Sequence, residues 1–142
     1  MAANTFSVGR DCQIVVIGPA GRVDLSHVTG FDSHQITHPV RVARLDGVQL
    51  AAELPKGWEG TFELERGSSS VDDFIAAAEN QFYTGGNVRA GMLYQYVSEP
   101  DGSTSTYQYE GVVFRLVGAG QWKGDAAVRQ KLQFFAARRK RV

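Results

Sequence analysis

The chain has 142 residues, 43% hydrophobic and 21% charged, which is the size and balance of one globular domain with its own core. Its 15 basic and 15 acidic residues cancel, which argues against a dedicated DNA-binding domain, since such domains usually carry a basic excess. The longest apolar run, Ile14 to Ile17, falls far short of the roughly 20 residues that cross a membrane. The opening MAANTFSVGRDC lacks a basic region followed by an apolar stretch, so no secretory signal is expected. One cysteine, Cys12, can form no internal disulfide and suits synthesis in a reducing cytoplasm.

Sixteen glycines and alternating β-branched or aromatic residues predict mainly strands. Cys12 to Gly18 reads as a first strand, stopped by the turn Gly18-Pro19-Ala20-Gly21, and Arg22 to Phe31 as a second, less regular one. Val40 to Leu45 alternates until Asp46-Gly47. Trp58 to Glu65 alternates strictly, with Trp58, Gly60, Phe62 and Leu64 on a dry face and Glu59, Thr61, Glu63 and Glu65 on a wet, acidic one. One helix follows. Ser69 or Ser70 can cap it in a capping-box-like arrangement, and Asp72 and Asp73 suit the dipole of its first turn. Val71, Phe74, Ile75, Ala78 and Phe82 form its apolar stripe and Gly85-Gly86 stops it. The stripe is too narrow for full burial, which places the helix across one face or edge of a sheet.

Asp101-Gly102 predicts a two-residue hairpin turn. Centred there, the hairpin pairs Tyr96 with Tyr107, Tyr94 with Tyr109 and Gln95 with Gln108. Beyond Glu110-Gly111 the apolar residues change phase, as Val112, Phe114 and Leu116, so a bulge or bend is expected near Gly111. Val128 to Arg138 makes the last strand, with Val128, Leu132, Phe134 and Ala136 on one face and Arg129, Lys131, Gln133 and Phe135 on the other.

The zero net charge hides a segregation. Seven acids lie between Glu53 and Tyr83 against Lys56 and Arg66, and eight bases lie from Arg115 to Val142 against Asp125 alone. Either this is a solvated surface with chance clustering, or acidic and basic regions of successive copies meet.

No residue set reads as catalytic, and an enzyme is not expected. His34 and His38 are four apart, useful for a metal only on a helix, and Pro39 disfavours a helix at His38; no metal or cofactor is expected. Ser26 and His27 are strand neighbours pointing to opposite faces, no Gly-x-Ser-x-Gly elbow exists, and Cys12 lacks a nucleophile signature. Gly118 to Gly124 misses both phosphate-loop patterns and precedes a strand, so it reads as a glycine-rich connection packed by Trp122. Arg138-Arg139-Lys140-Arg141 forms a basic C-terminal tail (138–142), read as solvated, as an inter-subunit contact, or as a DNA contact.

The segment Val40-Arg41-Val42-Ala43-Arg44-Leu45-Asp46-Gly47 followed by Pro55-Lys56-Gly57-Trp58-Glu59-Gly60 resembles bacteriophage tail tube proteins. So do the strand Thr61 to Arg66, the helix opening at Ser68-Ser69-Ser70-Val71-Asp72-Asp73-Phe74, the hairpin from Tyr94 to Gly111, and Gly118-Ala119-Gly120 with Trp122-Lys123 before a last strand. The likeness covers nearly the whole chain in order.

That resemblance implies a single domain over 1–142, an antiparallel β-sandwich or barrel of two packed sheets with one flanking helix at about 70–84. It also implies a structural subunit that joins edge to edge into hexameric rings, stacked into a tube that conducts DNA during ejection. Residues 46–57 match the position of a long projecting hairpin or loop that reaches the neighbouring ring, with Leu45, Leu50, Leu54 and Trp58 as apolar anchors. The interface candidates are Leu45, Asp46, Gly47, Leu50, Leu54, Lys56, Trp58 and the tail Arg138, Arg139, Lys140 and Arg141. A lumen that lets DNA slide should be acidic or neutral, which nominates Glu59, Glu63 and Glu65, or the face with Gln95, Gln108 and Glu110. Implied partners are further copies of the chain, a sheath if the tail contracts, baseplate and tail terminator proteins, and tape measure protein and DNA in the lumen. The implied location is a virion tail assembled in the host cytoplasm, without membrane insertion. The alternatives are a ring protein of a secretion or baseplate apparatus, and a small nucleic-acid-binding β-barrel that uses the basic tail.

Overall fold

The computed structural model describes residues 5–19, 21–25, 27–87 and 89–142; Ala20 and Ser26, used above in a turn and in a serine–histidine pair, lie outside them. A single 3-10 turn at Gly9–Asp11 leads into β1 (Cys12–Gly18), followed by β2 (Gly21–Val23), β3 (His27–Ala43), β4 (Gln49–Glu65) and the helix α1 (Ser70–Tyr83). Next come β5 (Gly91–Ser98), β6 (Thr104–Gly118), β7 (Arg129–Ala136) and β8 (Arg138–Arg141). All pairings are antiparallel, and the eight strands form one sheet in the order β2-β1-β5-β6-β7-β4-β3, with β8 also on β6. The sheet folds over itself into two layers but does not close into a barrel, because β2 and β3 are its unjoined ends.

The fold into layers happens within β6. Its first half pairs with β5 and β8, its second half with β7. Between Tyr109 opposite Leu93 and Val112 opposite Gly91, β6 holds one residue more than β5. This is the expected bulge at Gly111, which takes a φ of 61° that favours glycine. The bulge turns both Tyr109 and Val112 inward, and both are fully buried. Tyr109 packs edge-on against Trp58 at 6.3 Å and Phe134 at 5.5 Å, and its hydroxyl lies 3.0 Å from the Ser33 hydroxyl. The interior holds the expected dry faces, Phe62 and Leu64 from β4 and Leu132, Phe134 and Ala136 from β7.

The β5–β6 hairpin departs from the expected register by one residue. Tyr94 faces Gln108, Gln95 faces Tyr107 and Leu93 faces Tyr109. The loop is longer than the sequence reading assumed. Gly102 N–H donates to the Glu99 carbonyl, Glu99 N–H to the Ser103 carbonyl, and Gly102 has a φ of 91°. That is a type I turn with Pro100 at its second position, followed by a left-handed glycine, the usual three-residue alternative. The slip puts Tyr94 and Tyr96 on the outer face and Tyr107 and Tyr109 on the inner one.

Helix α1 begins at Ser70 and stops one residue earlier than expected, at Tyr83. Ser69 holds the N-cap position, but its hydroxyl donates to the Asp73 carboxylate instead of capping a backbone amide. At the other end Gly85 N–H donates to the Phe82 carbonyl and Gly86 N–H to the Gln81 carbonyl, a Schellman arrangement. Val71 is buried, Phe74 meets Phe114 at 5.5 Å, and Asp72 accepts from the buried Gln130 amide at 2.9 Å. Only the first turns of the stripe cover the core, since Phe82 is exposed. Trp122 is exposed, with its indole nitrogen beside Gly120 and the Arg66 guanidinium 5.2 Å from its ring.

The observed register makes a direct prediction. Tyr94→Cys combined with Gln108→Cys crosslinks on mild oxidation, whereas Tyr94→Cys with Tyr109→Cys, which points to opposite faces, stays reduced; gel mobility of the two double variants reads the difference.

Candidate functional site: a projecting hairpin and two solvent faces

β4 pairs with β7 only from Trp58 opposite Ala136 to Glu65 opposite Arg129. Residues 49–57 have no partner but β3, so the outer part of the β3–β4 hairpin projects as a two-stranded ribbon. The projecting element is a hairpin that extends beyond the 46–57 segment read from sequence. It includes Thr37–Ala43 from β3, and its turn spans only Arg44 to Val48, where Arg44 N–H donates to Val48 O and Val48 N–H to Asp46 Oδ1. At its root β4 carries one extra residue relative to β3, between Gly57 opposite Ile36 and Pro55 opposite Thr37.

The ribbon is two-faced. Arg41 and Glu53 form an ion pair at 3.0 Å on one side, where Thr37 donates to Glu53 at 2.9 Å. These bonds, Arg41's first, hold the Glu53 carboxyl below its ordinary pKa. Their contribution to the ribbon is present above the ordinary carboxylate range and is lost as pH falls through the lowered value. On the other side Val42 opposes Leu50, Val40 opposes Ala52 and His38 opposes Leu54. Leu50 is 48% and Leu54 45% exposed, and Leu45 at the tip is fully exposed. None of the described residues covers this apolar face, and a lone two-stranded ribbon is at best marginally stable in water. Trp58 is not one of the arm's anchors. It sits half-buried at the root, packed on Tyr109 and on the Arg139 guanidinium at 4.9 Å.

The candidate lumen residues fall on two different faces. Glu59, Glu63 and Glu65 line the outer face of the β3–β4–β7 layer, each beside a partner: His34 at 2.8 Å, Lys131 at 3.9 Å and Arg129 at 2.9 Å. Two ion pairs, Glu63 with Lys131 and Glu65 with Arg129, thus join the acidic and basic regions of the sequence inside one chain. Gln108 and Glu110 lie on the outer face of the other layer, with Tyr94, Tyr96 and Thr106, and Glu110 pairs with Lys140 at 3.1 Å. Gln95 does not join them. The one-residue register difference turns it inward, where its carbonyl accepts from the Tyr109 hydroxyl at 3.2 Å.

The basic C-terminal segment is a strand and not a solvated tail. β8 pairs from Arg138 opposite Glu110 to Arg141 opposite Tyr107. The Arg139 guanidinium lies 3.8 Å from the Tyr107 ring and 5.6 Å from that of Tyr109, Lys140 is ion-paired, and Arg141 donates to Ser105 at 3.3 Å. Sequence reading missed this because four consecutive bases look solvated, although tyrosines at alternate positions of β6 offer a stacking surface for an arginine.

Among the described residues no three His, Cys, Asp or Glu side chains converge as metal ligands, and no helix is long and apolar enough to cross a membrane. The sequence matches no protein-family model, and no curated protein matches it. Solved structures do match in fold. A chain of the sheath/tube terminator of an extracellular contractile injection system, PVC, superposes with a TM-score of 0.63 at 12% identity, over 92% of this chain and 93% of that one. A chain of the anti-feeding prophage cap, described as the AFP tube terminating cap, gives 0.64 at 12% identity, over 100% and 94%. A chain from the tail of an empty GTA particle, solved with C6 symmetry, gives 0.57 at 12% identity, over 96% and 99%. The class defined is a fold: the chain has the tube-like β fold found in tails and contractile injection particles.

If Arg139 is clamped between rings, Arg139→Ala destabilises the monomer by about 1–2 kcal/mol through lost stacking and packing. A urea titration reads this as a lower midpoint with unchanged slope; an unshifted midpoint would return the segment to a solvated tail.

Proposed function

We propose that the chain is a structural subunit of a phage-type tail tube, with no catalytic activity, which assembles with copies of itself into stacked hexameric rings around a DNA-conducting channel. The observation that carries this reading is the uncovered apolar face of the arm, Val42, Leu50 and Leu54, on a ribbon with no packing layer of its own among the described residues. The shared fold with chains from tube terminators and from a tail of C6 symmetry supports it. The unjoined ends β2 and β3 leave unpaired strand edges for lateral joining.

For the channel wall the better candidate is the face of Tyr94, Tyr96, Thr106 and Gln108, where the Glu110 charge is offset by Lys140. A wall for sliding DNA must not hold phosphate, and uncharged tyrosine, threonine and glutamine side chains make up most of this face, whereas the opposite layer presents Arg115, Arg129 and Lys131 alongside Glu59, Glu63 and Glu65. Sheath, baseplate, terminator and tape measure proteins, and a virion-tail location after assembly in the host cytoplasm, belong to this reading. The nucleic-acid-binding β-barrel alternative loses its main support, because Arg139, Lys140 and Arg141 are engaged within the sheet.

Leu50→Asp with Leu54→Asp tests the arm. The double variant keeps the wild-type circular dichroism spectrum and melting temperature within a few degrees, but sediments as a monomer at concentrations where the wild type forms large assemblies. Assembly of the variant at wild-type concentrations would remove the arm from the account.

A further inference from the structure

Where the arm leaves the body, between β4 and β8, lies a cleft of about 510 Å³ bordered by Gln35, Trp58, Lys56, Arg138 and Arg139. Among the described residues no acidic one lines it. Seven ion pairs are present among the described residues, and none of these includes Lys56, Arg138 or Arg139. Arg139 cannot relieve the repulsion by losing its proton. Its Nη2 makes one long hydrogen bond, 3.4 Å to Gln95 Oε1, and its Nε is buried without an acceptor. Three like charges around one cleft raise a positive potential there, and a carboxylate is the anion a protein chain most readily supplies.

The chain carries a matching feature. The β5–β6 turn protrudes beyond the last pair, Ser98 with Thr104, and presents Glu99 and Asp101 on either side of Pro100. Among the described residues neither carboxylate is in an ion pair. The Ser103 hydroxyl and amide both donate to Asp101, which keeps its carboxyl ionised to lower pH than usual. We infer that the cleft at the arm root receives the acidic β5–β6 turn of a second copy, with Lys56 and Arg138 as the charge partners of Glu99 and Asp101. The inference rests on the self-assembly proposed above and names a contact within it. Such a contact sets the two carboxylates of the turn against the three bases of the cleft.

Carbodiimide coupling tests it, because the reagent joins an amine to a carboxylate only in direct contact. A one-to-one mixture of unlabelled and 15N-labelled protein is assembled, coupled, digested and read by mass spectrometry. The expected product is an amide between Lys56 of one isotopic form and Glu99 or Asp101 of the other, absent below the assembly concentration. In parallel, Lys56→Glu with Arg138→Glu, both at exposed positions, keeps the wild-type melting curve and raises the concentration needed for assembly by at least about tenfold. Wild-type protein that assembles without this crosslink, or couples Lys56 to other carboxylates, overturns the inference while leaving the assembly reading intact. So does a double variant that assembles like the wild type and loses only binding to a DNA duplex. A wild type that stays monomeric at every concentration overturns both.

Discussion

One extra residue in β6 sets the architecture. Without the bulge at Gly111, Tyr109 and Val112 would point to opposite faces of a strand; with it, both are fully buried in the same interior. A single strand thereby serves two layers, pairing with β5 and β8 before the bulge and with β7 after it. The last strand follows the same bend. β7 ends at Ala136 and β8 resumes at Arg138 on the other layer, with Ala137 N–H bonded to the Glu110 carbonyl across the kink. Tyr109 sits at the pivot, in contact with Trp58 and Phe134 from one layer and hydrogen-bonded to Gln95 of the other.

The projecting arm is a consequence of this bend. β7 accompanies β4 as far as Trp58, and then the chain turns away with β6 as β8. β3 and β4 run on without a neighbour, which leaves a ribbon with one salt-bridged face and one apolar face in solvent. A monomer that stayed a monomer would gain nothing from Leu50 and Leu54 at these positions. The same divergence opens the basic cleft at the arm root, so the two features argued to join copies have a common origin.

Much of this was legible in the sequence. The bounds of β1, the two faces of Trp58–Glu65, the helix and the change of phase near Gly111 all follow from short-range periodicity, and each is observed. The mainly β, antiparallel, one-helix class followed from them. What was not legible depended on competition between local options. Asp101-Gly102 can close a two-residue turn, but Pro100 favours the second position of a type I turn, and the longer loop shifts every cross-strand pair by one. The wet face of Trp58–Glu65 reads as acidic because the bases that pair with Glu63 and Glu65, Lys131 and Arg129, belong to a strand far away in sequence. Four consecutive bases look like a tail until tyrosines from another strand are placed beside Arg139. In the arm, Pro39 and Pro55 break the strand pattern, although both are tolerated in a ribbon with unpaired outer edges.

The central claim is that this fold exists to be repeated, and that the uncovered arm is what links one copy to the next. Electron microscopy of the purified chain at rising concentration tests it most directly. The account predicts closed rings, or tubes of stacked rings, with an open axial channel. A field of dispersed monomers at every concentration, or amorphous aggregate without rings, would contradict it.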